Sequence, residues 1–469
     1  VTDEKQKSYW VTFLRRDGHF TGHVVSFEPP GLLPEVPPPR KPKEISSKED
    51  ERVGETANLN FEGVIDLFVR DMESYMDFLA FTIELAPRIS NTIAEIELKE
   101  FVDRVALSES HNTENQITYE LSTATFPELN LRLEKVLAAF HGATRLPELG
   151  IIGLISHYDA FLGNILRTIF TKKPEIVLTA DKTISYAELS TANTIDSIRD
   201  SLIEREIENI LRESHHEQFY LLEKKLNVKL REGLTVWPDF VELCQRRNLL
   251  THTGGRISQQ YIGNCKTHGG FIVKHKVGDR LRVDREYFES ANKIIFEIGI
   301  KIAYVFWRKF FTSEADKADS KINQICYDLI FKRRYSIAES ILIFSCNILK
   351  KYKGQERTRR MAIVNLANSM RLQGKIAEAK EVVSAEDWSA SENAFKMGVA
   401  VIEENLDRVV ALMRLCGKSD YPSAEHYRTW PIFRKIRDED SFTTTFEEIF
   451  GEPLRKTMNI SGDSDVNDA

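Results

Sequence analysis

Three side chains in one short run carry the chemistry this sequence offers: Arg247, Asn248 and His252, within Arg246-Arg247-Asn248-Leu249-Leu250-Thr251-His252-Thr253-Gly254-Gly255. A guanidinium holds a phosphate and the negative charge that develops on it. An imidazole moves a proton between oxygens near neutral pH. Together they are the groups needed to cleave RNA without a metal. Spacing alone does not single the run out, because Arg16 with His23 and Arg104 with His111 fit the same loose pattern. Context does: the first pair flanks Asp17-Gly18, a hairpin-turn signal, and the second runs from a helical segment into polar Ser108 to Asn112. Arg247 and His252 instead lie between a helix start at Pro238 and a double-glycine stop at Gly254-Gly255.

On an ideal helix, positions five apart are about 140° around the axis, whereas Asn248 and His252, four apart, share a face. One copy of the run supplies a single histidine. Attack by a ribose 2′-hydroxyl on the adjacent phosphate needs a base and also an acid for the departing 5′-oxygen. A two-fold dimer would bring two copies together and supply both. Around the motif, Arg246 is either a phosphate contact or, the favoured reading, a plain surface cation, and Lys274, His275, Lys276, Arg280 and Arg282 form a compact basic patch able to track an RNA backbone or to guard a strand edge. Asp159, on an earlier helix, is either a carboxylate that orients a ring or an arginine across the bundle or an exposed helix carboxylate, the two readings being even.

The elements that must hold these residues are mainly helical. Residues 1 to 60 read as a small β-hairpin around Asp17-Gly18 followed by a proline-rich linker. From 61 to 145, apolar residues at helical spacing (Val64, Leu67, Phe68, Met72, Met76, Leu79, Ile83) predict a helical subdomain ending in a polar loop near 108 to 116. The block 146 to 312 predicts an antiparallel helical bundle. It contains a helix over 151 to 171, a capping-box start at Ser185 with Glu188 leading into one amphipathic run as far as Leu226, the motif helix, a β-hairpin over 271 to 283 turning at Gly278-Asp279, and a closing helix from Tyr287 to Phe311.

In the block 313 to 455, Ile337-Ala338-Glu339 recurs as Ile376-Ala377-Glu378, offset by 39 residues, with a weaker echo from Leu406. That texture predicts a short tetratricopeptide-like solenoid of paired helices, capped near Trp430 to Gly451, with 456 to 469 as a polar tail.

Ser156-His157-Tyr158-Asp159-Ala160-Phe161-Leu162-Gly163-Asn164-Ile165-Leu166-Arg167, taken with Arg247-Asn248-Leu249-Leu250-Thr251-His252, resembles HEPN-domain proteins over roughly residues 145 to 312. Many of those are metal-independent endoribonucleases of toxin, abortive-infection and antiviral defence systems. The resemblance implies that Arg247 and His252 are the catalytic pair, that Asn248 is the polar residue beside the arginine, and that the product carries a 2′,3′-cyclic phosphate. The 271 to 283 hairpin departs from the plain four-helix pattern. The competing reading is an inactive HEPN nucleotide- or protein-binding module with a helical-repeat adaptor, scaffold-like or antitoxin-like.

Composition sets the surroundings. A net charge of −7 with 29% charged residues gives no global nucleic-acid signature, so RNA contact must come from a local patch. Five scattered cysteines point to reduced thiols. Cys265 and His268 make only half of a zinc site, so neither metal nor cofactor is expected. No apolar run reaches the roughly 18 residues of a spanning helix and no signal-peptide pattern is present, which predicts a cytoplasmic protein without a membrane segment. The expected partners are an RNA substrate, a second copy of the chain, and a protein or trigger at the helical repeats.

Overall fold

The computed structural model describes residues 8–16, 19–26, 60–113, 116–178, 183–191, 194–269, 275–351, 355–418 and 421–455. It is mainly helical, and its contacts divide the chain into two units, one formed by residues 1–168 with 236–296 and the other by 169–235 with 297–469. The linear blocks read from the sequence are thus interleaved: the path leaves the first unit inside one long helix and returns to it just before the motif.

The first unit opens with a four-stranded antiparallel sheet in the order β2-β1-β4-β3, built from β1 (Ser8–Arg16), β2 (His19–Ser26), β3 (Ala106–Thr113) and β4 (Gln116–Ser122). Leu14 pairs with Gly22 across β1 and β2, and Phe13 with Ile117 across β1 and β4. The expected loop at 108 to 116 is therefore a strand pair. Polar Ser108 to Asn112 has little strand propensity of its own. It is held by pairing to β4, whose Ile117, Tyr119 and Leu121 alternate into a core. That core is shared with Leu98, Phe101 and Val102 of α2 (Ala80–Val105) and Leu129 of α3 (Phe126–Thr144).

Ahead of α2, α1 (Phe61–Ser74) starts where the Asn60 side chain accepts the Gly63 N–H at 2.8 Å, and a π-helical turn, Tyr75–Leu79, carries it into α2. α1 packs against α4 (Leu146–Lys172): Phe68 stacks on Phe161 at 3.9 Å and lies 6.3 Å from Phe296 of α10 (Arg285–Phe310). Gly150 abuts Phe288, so the first halves of α4 and α10 climb in the same sense. This differs from a strictly antiparallel arrangement, and α1 provides a wall that the sequence assigned to a separate subdomain.

Two helices follow the return of the chain, α8 (Trp237–Thr253) and α9 (Gln259–Gly269). α9 was not anticipated. Its Tyr261 and Cys265 pack with Leu249, Ile257 and Leu281. The predicted 271 to 283 hairpin takes another form among the described residues. After residues 270–274, which lie outside them, the turn at Gly278 folds back on the segment behind α8, with the Ile257 N–H donating to the Asp279 carbonyl, the Leu281 N–H to the Gly255 carbonyl, and Arg256 bridged to Arg280.

The second unit contains α5 (Tyr186–Thr191), α6 (Ile195–Arg212) and α7 (His215–Leu226). The single amphipathic run is cut at extended Glu213, and the Gln218 amide donates to the Leu211 and Glu213 carbonyls that the break leaves open. α5 does begin after Ser185, although the Glu188 side chain lies outside the described residues, and a formed capping box joins Thr194 to Ser197 at the start of α6.

Beyond α10 come helical pairs: α11 (Ala315–Phe331) with α12 (Tyr335–Lys351), α13 (Glu356–Leu372) with α14 (Ile376–Ser384), and α15 (Asn393–Ile402) with α16 (Leu406–Cys416). α13 touches both α11 and α15, so the pairs stack. The three internal turns are superimposable in their bonding: Arg334, Lys375 and Asn405 donate backbone N–H groups to Leu329, Met370 and Ala400. The residue before each has positive φ, Arg333 at 62°, Gly374 at 87° and Glu404 at 62°. Arg334 and Lys375 are 41 residues apart, so the Ile-Ala-Glu echo at 39 is two residues out of structural register. α17 (Ala424–Thr429) and α18 (Asp440–Phe450) close the unit around buried Tyr427, Phe433, Phe442 and Phe446.

One stretch, Thr123–Lys172, contains a helix long and apolar enough to cross a membrane, contrary to expectation; 56% of its apolar window is buried inside the protein, as in a core helix.

Candidate functional site

The motif helix α8 begins with Pro238 in its first turn and ends at Gly254 and Gly255, both with positive φ. The Gly254 N–H reaches back to the Leu249 carbonyl in a six-to-one closure, and the Gly255 N–H bonds the same carbonyl at 2.9 Å, ending the helix. Gly255 is doubly required, since a Cβ there would lie 2.7 Å from the Leu281 carbonyl oxygen. The sequence thus fixes where the helix stops, and the stop puts His252 on an exposed last turn.

Arg247 points into the first unit toward α4. One Nη2 donates to Asp159 Oδ2 at 3.2 Å, and Nη1 donates to Asn248 Oδ1 at 3.2 Å. Both members of the ion pair are about a quarter exposed, Arg247 at 23% and Asp159 at 25%. The structure therefore brings Arg247, Asn248 and Asp159 together, while the exposed His252 makes no hydrogen bond or ion pair to them among the described residues.

Arg246, expected as a phosphate contact, is corrected to a structural cation. It is buried, its Nε donates to Glu242 Oε1 at 2.8 Å, its Nη1 to the Arg282 carbonyl at 3.0 Å, and its guanidinium lies 3.8 Å over the Tyr287 ring. Glu242 is also buried and takes the hydroxyls of Tyr261 and Tyr287, each at 2.6 Å. Burial first, and the Glu242 charge second, push both phenols well above their ordinary range, so both stay protonated and donate. This network fastens α8 to α9 and α10. The sequence reading missed it; the i,i+4 spacing of Glu242 and Arg246 was the available signal, but Tyr261 and Tyr287 arrive from elsewhere in the chain.

The basic patch is only partly placed. Lys274 lies outside the described residues. His275, Lys276, Arg280 and Arg282 are exposed, and Arg280 stands 3.7 Å from Glu148. Arg256, not singled out from the sequence, joins them: it is exposed, follows the helix stop directly and is bridged to Arg280. Cys265 is buried in the α9 packing, and no cluster of three metal-ligating side chains occurs among the described residues. Burial also raises the Cys244 thiol well above its usual range, with nearby Asp159 adding to it, so this thiol is packing rather than a nucleophile.

No family model, no curated protein and no solved structure matches this chain.

Proposed function

We propose that the chain is a metal-independent endoribonuclease of a HEPN-like, defence or toxin type, cutting RNA by attack of a 2′-hydroxyl at a composite site made by two copies. What carries this reading is Arg247: its guanidinium is held by the carboxylate of Asp159, and one turn further on α8 an exposed His252 sits at a capped end. A phosphate entering there displaces Asn248 from Nη1 while Asp159 keeps the guanidinium plane from turning. His252 exchanges the proton of the 2′-hydroxyl or of the leaving 5′-oxygen, and the His252 of a second copy performs the other transfer. Exposed Arg256, Lys276, Arg280 and Arg282 track the RNA backbone. The tetratricopeptide-like helical pairs receive the protein or trigger that controls the enzyme.

One observation favours the second reading, a HEPN module that binds a nucleotide or protein without cutting it: the Arg247 charge is already neutralised by Asp159. Cleavage of total RNA in EDTA separates the two. The parent protein should cut, and Arg247→Ala and His252→Ala should each lose about 100-fold or more, the scale of a lost acid–base or phosphate-holding group, with unchanged melting curves. Intact RNA with the parent protein, or undiminished cutting by both variants, contradicts the enzyme reading.

A further inference from the structure

Stacking of α11, α13 and α15 leaves a cavity of about 460 Å³ inside the second unit, within the roughly 300–1,000 Å³ range of small-molecule sites. Its polar lining includes carboxamides. Asn323 comes from α11 and Asn365 with Asn368 from α13, one helical turn apart. Asn323 and Asn368 are only 5% and 2% exposed.

Their internal bonds leave those groups half used. Asn365 Nδ2 donates to Asn323 Oδ1 at 2.9 Å, and whichever amide of that pair donates, one NH₂ and one oxygen are left over among the described residues. Asn368 Oδ1 accepts from Arg371 Nη2 at 3.3 Å. Arg371 has only donors, so this fixes the amide with its NH₂ unpartnered among the described residues. Arg371 is itself buried and anchored on the Ile432 carbonyl at 2.7 Å.

The walls are aromatic. Phe395, Tyr421 and Trp430 line the cavity, with the Tyr421 and Trp430 rings 5.1 Å apart. The charged lining among the described residues is Arg357 with Glu392, and these pair with each other at 3.1 Å. The lining side chains themselves are therefore neutral in sum. This lining favours an aromatic ligand that carries donors and acceptors side by side on its edge, packed against rings of which Tyr421 and Trp430 meet edge to face.

We propose that this cavity is a binding site for a purine nucleoside. A purine presents adjacent donor and acceptor atoms that a carboxamide can answer in pairs, and its ring system packs favourably against aromatic side chains. An extended peptide would present these groups alternately to opposite sides. The site is on a different unit from Arg247 and His252, and its occupancy is measured without any cleavage.

Calorimetric titration of the full chain with adenosine and with guanosine tests it, beside cytidine and a blocked neutral tetrapeptide. One of the purine nucleosides should bind saturably at one per chain, at least about 10-fold tighter than cytidine, with no heat from the peptide. Asn365→Leu should weaken that binding at least about 10-fold, and Phe395→Ala provides an independent variant on the wall should the first fail to fold. Absence of saturable purine binding at millimolar concentration, binding unaffected by either folded variant, or binding of the peptide in place of the purine would overturn the proposal.

Discussion

Arg246 and Arg247 are neighbours in sequence with opposite fates. Arg246 turns inward to Glu242 and Tyr287, while Arg247 faces Asp159 at a half-buried position. Adjacent helical positions point about 100° apart, so one of two adjacent arginines could serve the core and the other the site; which was which depended on Tyr261, Tyr287 and Asp159, none of them local in sequence. Removing the buried cation strands Glu242, so Arg246→Ala should destabilise the protein by about 3–5 kcal/mol in denaturant unfolding. The same variant should leave the salt dependence of RNA binding unchanged, which a phosphate contact would not. Asp159→Asn keeps the shape of the Arg247 contact but removes its charge. It should cut the cleavage rate roughly 10- to 100-fold through loss of guanidinium positioning, with little change in stability; a variant as fast as the parent would take Asp159 out of the account.

At the scale of elements, the sequence showed most of what local chemistry determines. Pro238 and the Gly254-Gly255 stop bound α8 as expected, and the strands on either side of Asp17-Gly18 pair. It failed where distant partners decide. Polar Ser108 to Asn112 became a strand because β4 was there to pair with it, and the turn at Gly278 folded onto Gly255 to Ile257. The helical pairs were visible as a repeat but two residues out of register, because the true repeat lies in the turn geometry at Arg333, Gly374 and Glu404 and not in the Ile-Ala-Glu residues. Those turns carry a prediction. Arg333 and Glu404 hold a left-handed backbone that costs a side-chain-bearing residue roughly 1–2 kcal/mol. Glycine relieves that strain at some cost in unfolded-chain entropy, so Arg333→Gly and Glu404→Gly should each stabilise the protein by up to about 1 kcal/mol, read as a higher denaturation midpoint. A lower midpoint in both would contradict the strain argument.

For the whole molecule, one copy offers one exposed His252, and the chemistry asks for two proton carriers. The first unit also displays an apolar stripe at helical spacing: Phe78 and Phe81, then Ile89, Ile93 and Ile96 along α2, exposed by 43–68%. Under the proposed composite site, a second copy would cover this stripe. Phe81→Asp with Ile93→Asp should therefore shift the protein to monomer in sedimentation and lower cleavage by at least about 10-fold, while a monomeric parent with full activity would end the composite-site account. The central claim, 2′-hydroxyl attack at Arg247 and His252, is tested most directly by the chemical nature of the RNA ends produced in EDTA. The account predicts 2′,3′-cyclic phosphates opposite 5′-hydroxyls from the parent protein and none from His252→Ala; 3′-hydroxyl ends, or cyclic phosphates formed equally by His252→Ala, would contradict it.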